Sequence, residues 1–254
     1  MKQKVTIIGG AGTIGSILIN GLQEHYQFTV LDKNRPKEQV EYKEVDATNF
    51  KDLLRAIPED TDALVNLLTI KTDNDLHTID DFQQMTTIHF ITSFYILHAA
   101  QTLGIPKVVY ASSNHTTDYY ERDGYSTLGR EITIKDYPFS RSLYGVLKLA
   151  SEQLGHILAH EKEQNLSVIN LRIGSVHQDE AKAVAKDERL THTLLTHKDT
   201  VQLFHLALQT TVKYGTYYGV SNNRKKPWST ENAWRELGFV SKENADDLQN
   251  KNKK

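Results

Sequence analysis

The chain has no cysteine among its 254 residues. That excludes disulfides, a thiolate nucleophile and cysteine-ligated zinc, and it fits a reducing compartment. No apolar run approaches the ~20 residues that a membrane-spanning helix needs. The apolar stretch after Met1-Lys2-Gln3-Lys4 is far too short for a secretory signal, so a cytoplasmic protein with no membrane partner is expected. Neither charge dominates, with 30 Lys and Arg against 32 Asp and Glu, which leaves no general attraction for nucleic acid. Internal repeats, low-complexity linkers and shifts in composition are absent too, so the chain reads as one domain acting on a small molecule.

Histidines are present but not in ligand spacing. His156 and His160 stand four apart, yet the run between them lacks the glutamate of a zinc-protease helix, and no third ligand is identifiable. No metal site is expected.

Short apolar runs at 5–8, 28–31, 40–45, 63–68, 107–111 and 167–171 alternate with helical stretches. This alternation predicts a parallel sheet covered on both faces, the Rossmann-type doubly wound α/β fold. A helix over about 77–103 stops at Gly104-Ile105-Pro106, because glycine takes the left-handed cap and proline cannot extend the helix. A second long helix is expected over about 142–163. After Arg172 the pattern loosens, and residues 176–196 and 214–245 read as a small lobe over the substrate. Within the single domain 1–254, residues 1–175 are mainly the dinucleotide-binding core. Residues 176–245 are mainly the C-terminal substrate-binding lobe with the last core elements. The polar stretch 242–254 can bury little apolar surface, and 246–254 are read as a flexible tail. Trp228 and Trp234, near a short helix at 230–237, are assigned to packing of the lobe.

Gly9-Gly10-Ala11-Gly12-Thr13-Ile14-Gly15 follows the first strand and opens the first helix. Glycines permit the tight turn, a close backbone approach to pyrophosphate and close helix packing, while the helix N-terminus offers free N–H groups to an anion. Asp32 ends the second strand, where a carboxylate accepts from the adenosine ribose hydroxyls and repels a 2′-phosphate. NAD is therefore favoured over NADP, with Lys33 and Arg35 close enough to blunt the preference. Asp46, in Val45-Asp46-Ala47-Thr48, follows the third strand and is placed to reach the adenine amine or simply to form a turn.

Among the 12 tyrosines, Tyr144 alone has a lysine four residues on, Lys148. On a helix the two share a face, and an ammonium beside a phenol favours the phenolate, the form that abstracts a proton near neutral pH. Ser113 follows the fifth strand, at the carboxyl edge where open α/β sheets bind ligands. Taken alone, a serine pair at a strand end is a turn and a Tyr-x-x-x-Lys is a helix surface. Ordered after a dinucleotide turn, they point to redox chemistry on a hydroxyl or carbonyl.

The chain resembles the extended short-chain dehydrogenases/reductases of the NAD-dependent epimerase/dehydratase superfamily, and within them the uronate dehydrogenases. The resemblance runs from the glycine turn to about Asp247. It rests on Ala111-Ser112-Ser113-Asn114-His115-Thr116 with Tyr119-Tyr120, on Leu143-Tyr144-Gly145-Val146-Leu147-Lys148, and on Arg172-Ile173-Gly174-Ser175. It implies oxidation of the anomeric hydroxyl of a hexuronate, or a related sugar or sugar acid, to a lactone with NAD. Tyr144 would be the base, Lys148 would bind the nicotinamide ribose and lower the tyrosine pKa, and Ser113, Asn114 and His115 would hold the sugar. Ser175 would add a sugar contact, and Arg189 would grip the substrate carboxylate with its planar fork. The cofactor set becomes Gly9, Gly12, Thr13, Ile14, Gly15, Asp32, Asp46, Ala47, Leu67, Lys148 and Val176, the last through its backbone. The family likeness also implies a homo-oligomer.

The chain departs from the family at Asn66-Leu67-Leu68-Thr69, where a small-residue turn is usual, and near Lys71 or Thr72, where a serine would contact the sugar. His89 stands where asparagine is common, and the segments before Tyr144 and before Arg189 are longer than usual. Two other readings follow: an epimerase that recycles bound NAD, and a dinucleotide-binding sensor that has lost turnover. Dehydration is disfavoured, because Thr116-Thr117-Asp118 supplies no acidic pair.

Overall fold

The computed structural model describes residues 2–70, 78–161 and 165–251. Its first half runs β1 (Gln3–Ile8), α1 (Thr13–Leu22), β2 (Tyr26–Asp32), β3 (Glu41–Glu44), α2 (Phe50–Ala56), β4 (Ala63–Asn66), α3 (Ile79–Thr86), α4 (Thr92–Leu103) and β5 (Lys107–Ser113). Then come the short strands β6 (Glu121–Arg122) and β7 (Tyr125–Ser126), followed by α5 (Leu143–Ala159), β8 (Ser167–Ile173), α6 (Glu180–Lys186) and α7 (Leu190–Thr193). The chain closes with α8 (His197–Gln209), β9 (Tyr214–Gly219), α9 (Glu231–Leu237) and α10 (Ala245–Lys251).

Seven strands form one parallel sheet in the order β3-β2-β1-β4-β5-β8-β9. Period-two alternation sends neighbouring side chains to opposite faces. Ile7, Val65, Val109 and Ile169 face a layer containing Leu18, Ile19, Leu203 and Phe204 from α1 and α8. Ile8, Leu64, Val108 and Val168 face Leu53, Ile96, Leu97 and Leu158 from α2, α4 and α5. Each such buried side chain contributes roughly 1.5–3 kcal/mol of transfer free energy, so both layers are needed. The strand order reverses between β1 and β4, and a crevice opens there at the carboxyl ends.

Four differences from the sequence expectation concern the periphery. The helix expected over 77–103 is two helices joined by a π-helical turn at Thr87–Ile91, while His77 lies outside the described residues. Residues 214–219, read as lobe, are the last strand of the main sheet. The expected tail is α10, because Ala245 and Leu248 pack against Val184, Leu190 and Leu194 and the Ala245 N–H donates to Asn223 Oδ1 at 3.0 Å. Of the two tryptophans, Trp228 is 1% exposed and stacks near Tyr218, but Trp234 lies on α9 and is 57% exposed. Among the described residues no helix is long and apolar enough to cross a membrane.

Candidate active site

The residues assigned to the cofactor, Gly9, Gly12, Thr13, Ile14, Gly15, Asp32, Asp46, Ala47, Leu67 and Val176, line one cleft of about 580 Å³. Lys148 does not line it and sits behind Leu68. The turn is shaped by close approach: a Cβ on Gly15 would lie 2.0 Å from the Gly10 carbonyl oxygen, whereas one on Gly12 would meet nothing nearer than 4.0 Å. Gly12 caps α1 without any side-chain hydrogen bond, so the first-turn N–H groups face the cleft uncapped. That is the arrangement a pyrophosphate requires. Asp32 braces the turn, accepting from the Ala11 N–H at 3.0 Å and the Asn34 N–H at 2.9 Å.

Asp46 lines the cleft, but its oxygens are engaged. Oδ1 accepts from the Thr48 N–H and hydroxyl, and Oδ2 pairs with Lys33 at 2.8 Å. Burial opposes ionisation, yet Lys33 and Thr48 together hold this carboxyl below its ordinary range. The structure thus shows a turn and an ion pair at Asp46, and Lys33, counted as a cation near the ribose position, is turned to it. The cleft also includes Leu68, Thr69, Gln84 and Ile88. Gln84 and Ile88 come from α3 and the π-helical turn, and no local motif marks them.

Ser113 is the last residue of β5 rather than the residue after it. Its Oγ accepts from the His115 N–H at 3.1 Å and donates to Asn114 Oδ1 at 3.2 Å. Ser142 caps α5 by accepting from the Gly145 N–H at 3.2 Å, which aims the first turn of α5 at this loop. Gly145 is required by that approach, since a Cβ there would lie 2.2 Å from the His115 carbonyl oxygen. Tyr144 is thereby brought near the Ser113 and Thr69 hydroxyls, and its ring meets that of His115 edge-on at 5.7 Å.

Lys148 is 2% exposed and donates to the Ala111 carbonyl at 2.8 Å and the Leu68 carbonyl at 3.4 Å. Burial pulls it down to about 7, against the favourable charge of Glu152. Burial also raises the Tyr144 phenol, against the opposite pull of the Ser113 and Thr69 hydroxyls. The expected lowering of the Tyr144 pKa by Lys148 is therefore not seen in the chain by itself; desolvation wins, and hydroxyls rather than the ammonium favour the phenolate. Glu152, one further turn along α5, makes a buried bidentate pair with Arg172 at 2.9 and 2.7 Å and accepts from Ser112 at 2.5 Å.

His115 donates from Nδ1 to Asp118 Oδ2 at 2.9 Å, because a carboxylate only accepts, and Nε2 is the nitrogen left for a ligand. Burial works against the Asp118 charge, but His115 and the Arg141 N–H keep its carboxyl below the usual range. His89 is fully buried in the π-helical turn, edge-on to Tyr144 at 4.9 Å. Among the described residues neither of its ring nitrogens has a hydrogen-bond partner. Burial first, and the Lys148 charge second, lower its pKa to about 3, so it is neutral.

Ser175 pairs with Leu194, its N–H donating to the Thr193 carbonyl at 2.9 Å, and so ties the segment after β8 to α7. Arg189 precedes α7. One edge of its fork is taken: Nε and Nη2 donate to Oε1 and Oε2 of Glu121 at 3.1 and 2.7 Å. The arginine assigned to a substrate carboxylate thus already holds an internal carboxylate on one edge. Lys71 and Thr72 lie outside the described residues.

Residues 5–241 match the model of the NAD dependent epimerase/dehydratase family. An uncharacterised protein, YtbQ, of Bacillus subtilis (strain 168) is 50% identical over 98% of this chain and 97% of its own length. The NAD-dependent glucose-6-phosphate dehydrogenase of Haloferax volcanii is 26% identical over 96% of this chain and 95% of its own length. Among solved structures, a glucuronic acid dehydrogenase from Chromohalobacter salexigens superposes with a TM-score of 0.82 at 23% identity, covering 99% of this chain and 88% of that one, which speaks to the fold.

Proposed function

Because the chain belongs to the NAD dependent epimerase/dehydratase family, with NAD as its cofactor, we propose that it oxidises the anomeric hydroxyl of a pyranose sugar, a hexuronate or a related sugar, to the lactone. NAD, when bound, supplies the acceptor for the hydride that leaves the anomeric carbon. The glycine turn and the uncapped N-terminus of α1 hold the diphosphate, and Asp32 accepts from the ribose. The remaining work, moving one proton, falls to the chain's own side chains.

One observation carries this reading: Leu68 and Thr69 line the cofactor cleft and also touch the catalytic pair, Leu68 through the Lys148 ammonium and Thr69 at the Tyr144 phenol. Cofactor cleft and proton acceptor therefore share a wall. The turn whose bulk motivated the sensor alternative supplies a hydroxyl to the base. Ser113 orients the reacting oxygen, Tyr144 takes its proton, and the Ser113 and Thr69 hydroxyls favour the charge that appears on the phenol. His115, its tautomer set by Asp118, offers Nε2 to a sugar hydroxyl, and Asn114 and Ser175 complete the hold on the ring.

Purified protein with NAD and a panel of uronates and neutral aldoses tests this through the absorbance of reduced nicotinamide. Reduction with at least one sugar, lowered about 10³-fold in Tyr144→Phe, is expected. Interconversion of a sugar epimer without net reduction would favour an epimerase instead, and full activity in Tyr144→Phe would refute the mechanism.

A further inference from the structure

The sheet beneath Lys148 holds two buried polar groups that the fold brings together without pairing either. On the face covered by α4 and α5, Leu64, Val108 and Val168 stand side by side in register on β4, β5 and β8. Two residues on, the same face carries Asn66, Tyr110 and Asn170, again in register. A polar rung in an apolar layer must find its partners inside the protein, because an unmade buried hydrogen bond is costly.

Much of the rung does so. Asn66 Oδ1 accepts from the Leu68 N–H at 3.1 Å and its Nδ2 donates to Ser93 Oγ at 3.3 Å, while Asn170 Nδ2 donates to Thr216 Oγ1 at 3.2 Å and to the Gly215 carbonyl at 3.3 Å. Ser93 and Ser151 both give their hydrogens to the His89 carbonyl, at 2.8 and 2.7 Å. Two atoms are left over: among the described residues neither the Tyr110 hydroxyl nor Asn170 Oδ1 has a hydrogen-bond partner. The first is a donor, since burial raises the phenol and keeps its proton in place, and the second is an acceptor. Both residues line one cavity of about 10 Å³, whose other polar walls are Asn66, Ser93 and Ser151 and whose lining residues are all buried. Such a space is at the lower bound for one water molecule and has no room for a second.

We propose that this cavity is a permanent water site. One water accepts from the Tyr110 hydroxyl, donates to Asn170 Oδ1 and gives its second hydrogen to the Ser151 oxygen, about the three bonds that an internal water makes. It ties β5 to β8 at the Tyr110 ring, whose face carries the Lys148 ammonium 4.7 Å from its centre, and beside Asn66, whose Oδ1 fixes the turn at Leu68. An apolar filling of the same space would leave both groups unpaired, so the polar rung and the water belong together. The site is independent of the sugar, and of the reaction, that the cleft serves.

A crystal structure of the protein, at a resolution that shows ordered waters, tests the site. One peak within about 3.2 Å of both Tyr110 Oη and Asn170 Oδ1 is expected. No peak there, or a Tyr110 hydroxyl bonded directly to a neighbouring side chain, overturns the proposal. In solution, oxygen-17 relaxation dispersion counts the waters held for longer than the protein takes to tumble. Tyr110→Phe keeps the ring and removes the donor, so it should lower that count by one, and an unchanged count overturns the proposal. Should Tyr110→Phe fail to fold, the wild-type crystal still decides the question.

Discussion

At the carboxyl ends of β1 and β2 the molecule presents backbone: a glycine turn, uncapped N–H groups and one aspartate that braces the turn. At the ends of β5 and β8 it presents side chains, nearly all engaged with one another: Ser113 with Asn114, His115 with Asp118, Glu152 with Arg172 and Glu121 with Arg189. The first region recognises a group common to every dinucleotide, and a backbone cradle serves any of them. In the proposed reaction the second distinguishes substrates and moves a proton, and it is built of groups whose charge and pKa depend on their neighbours. Invariant recognition can rest on local chain geometry, while selective chemistry here rests on contacts between distant segments.

That contrast can be broken at several points. Tyr144→Phe removes the proposed proton acceptor and should lower kcat about 10³-fold, within the usual range for general bases, while affinity for reduced NAD followed by nicotinamide fluorescence changes less than threefold. An equal loss of affinity would mean the two regions do not act separately. Glu152→Ala leaves Arg172 buried without its partner and should lower unfolding stability by about 3–5 kcal/mol in urea titrations, a cost that falls on the side-chain region alone. Gly15→Ala drives a methyl group into the Gly10 carbonyl and should weaken NAD binding by roughly 1–3 kcal/mol, with Gly12→Ala, which has open space around it, sparing the fold.

His89 sharpens the comparison through pH. Its pKa of about 3 in the folded state lies below its ordinary 6.5, so the unfolded chain binds a proton that the folded chain refuses. Stability from this group is full above pH 6.5 and falls by about 1.4 kcal/mol per unit as the pH drops from 6.5 toward 3. Between pH 7.5 and pH 5, wild type should lose about 2 kcal/mol more than His89→Asn, and parallel losses would show that the ring is not buried neutral. The smallest effect belongs to the cofactor side: Asp32→Asn should raise the kcat/KM with NADP relative to NAD by about tenfold, with little change in the choice of sugar.

The parallel sheet was legible because its buried strands are short apolar runs bounded by turns, and the glycine turn because its spacing is a local steric demand. Ser113, Tyr144 and Lys148 could be picked out because a strand end and a helical i, i+4 pair are local patterns with global meaning in this fold. The hidden partners are the ones separated in the chain. The Asp123-Gly124 dipeptide is a hairpin signal that would have revealed β6 and β7, yet nothing local says that Glu121 turns to Arg189. The π-helical turn that buries His89 and the packing of α10 are likewise tertiary outcomes.

Sequence by itself determined the alternation of strand and helix that makes the parallel core, the cradle for a dinucleotide and the residue types available for proton transfer, because each depends on spacing along the chain. Only the tertiary structure decided which charges are already spoken for and which groups are neutral. An arginine's availability and a phenol's pKa are set by whatever the fold brings within a few ångströms, and by how much water it removes.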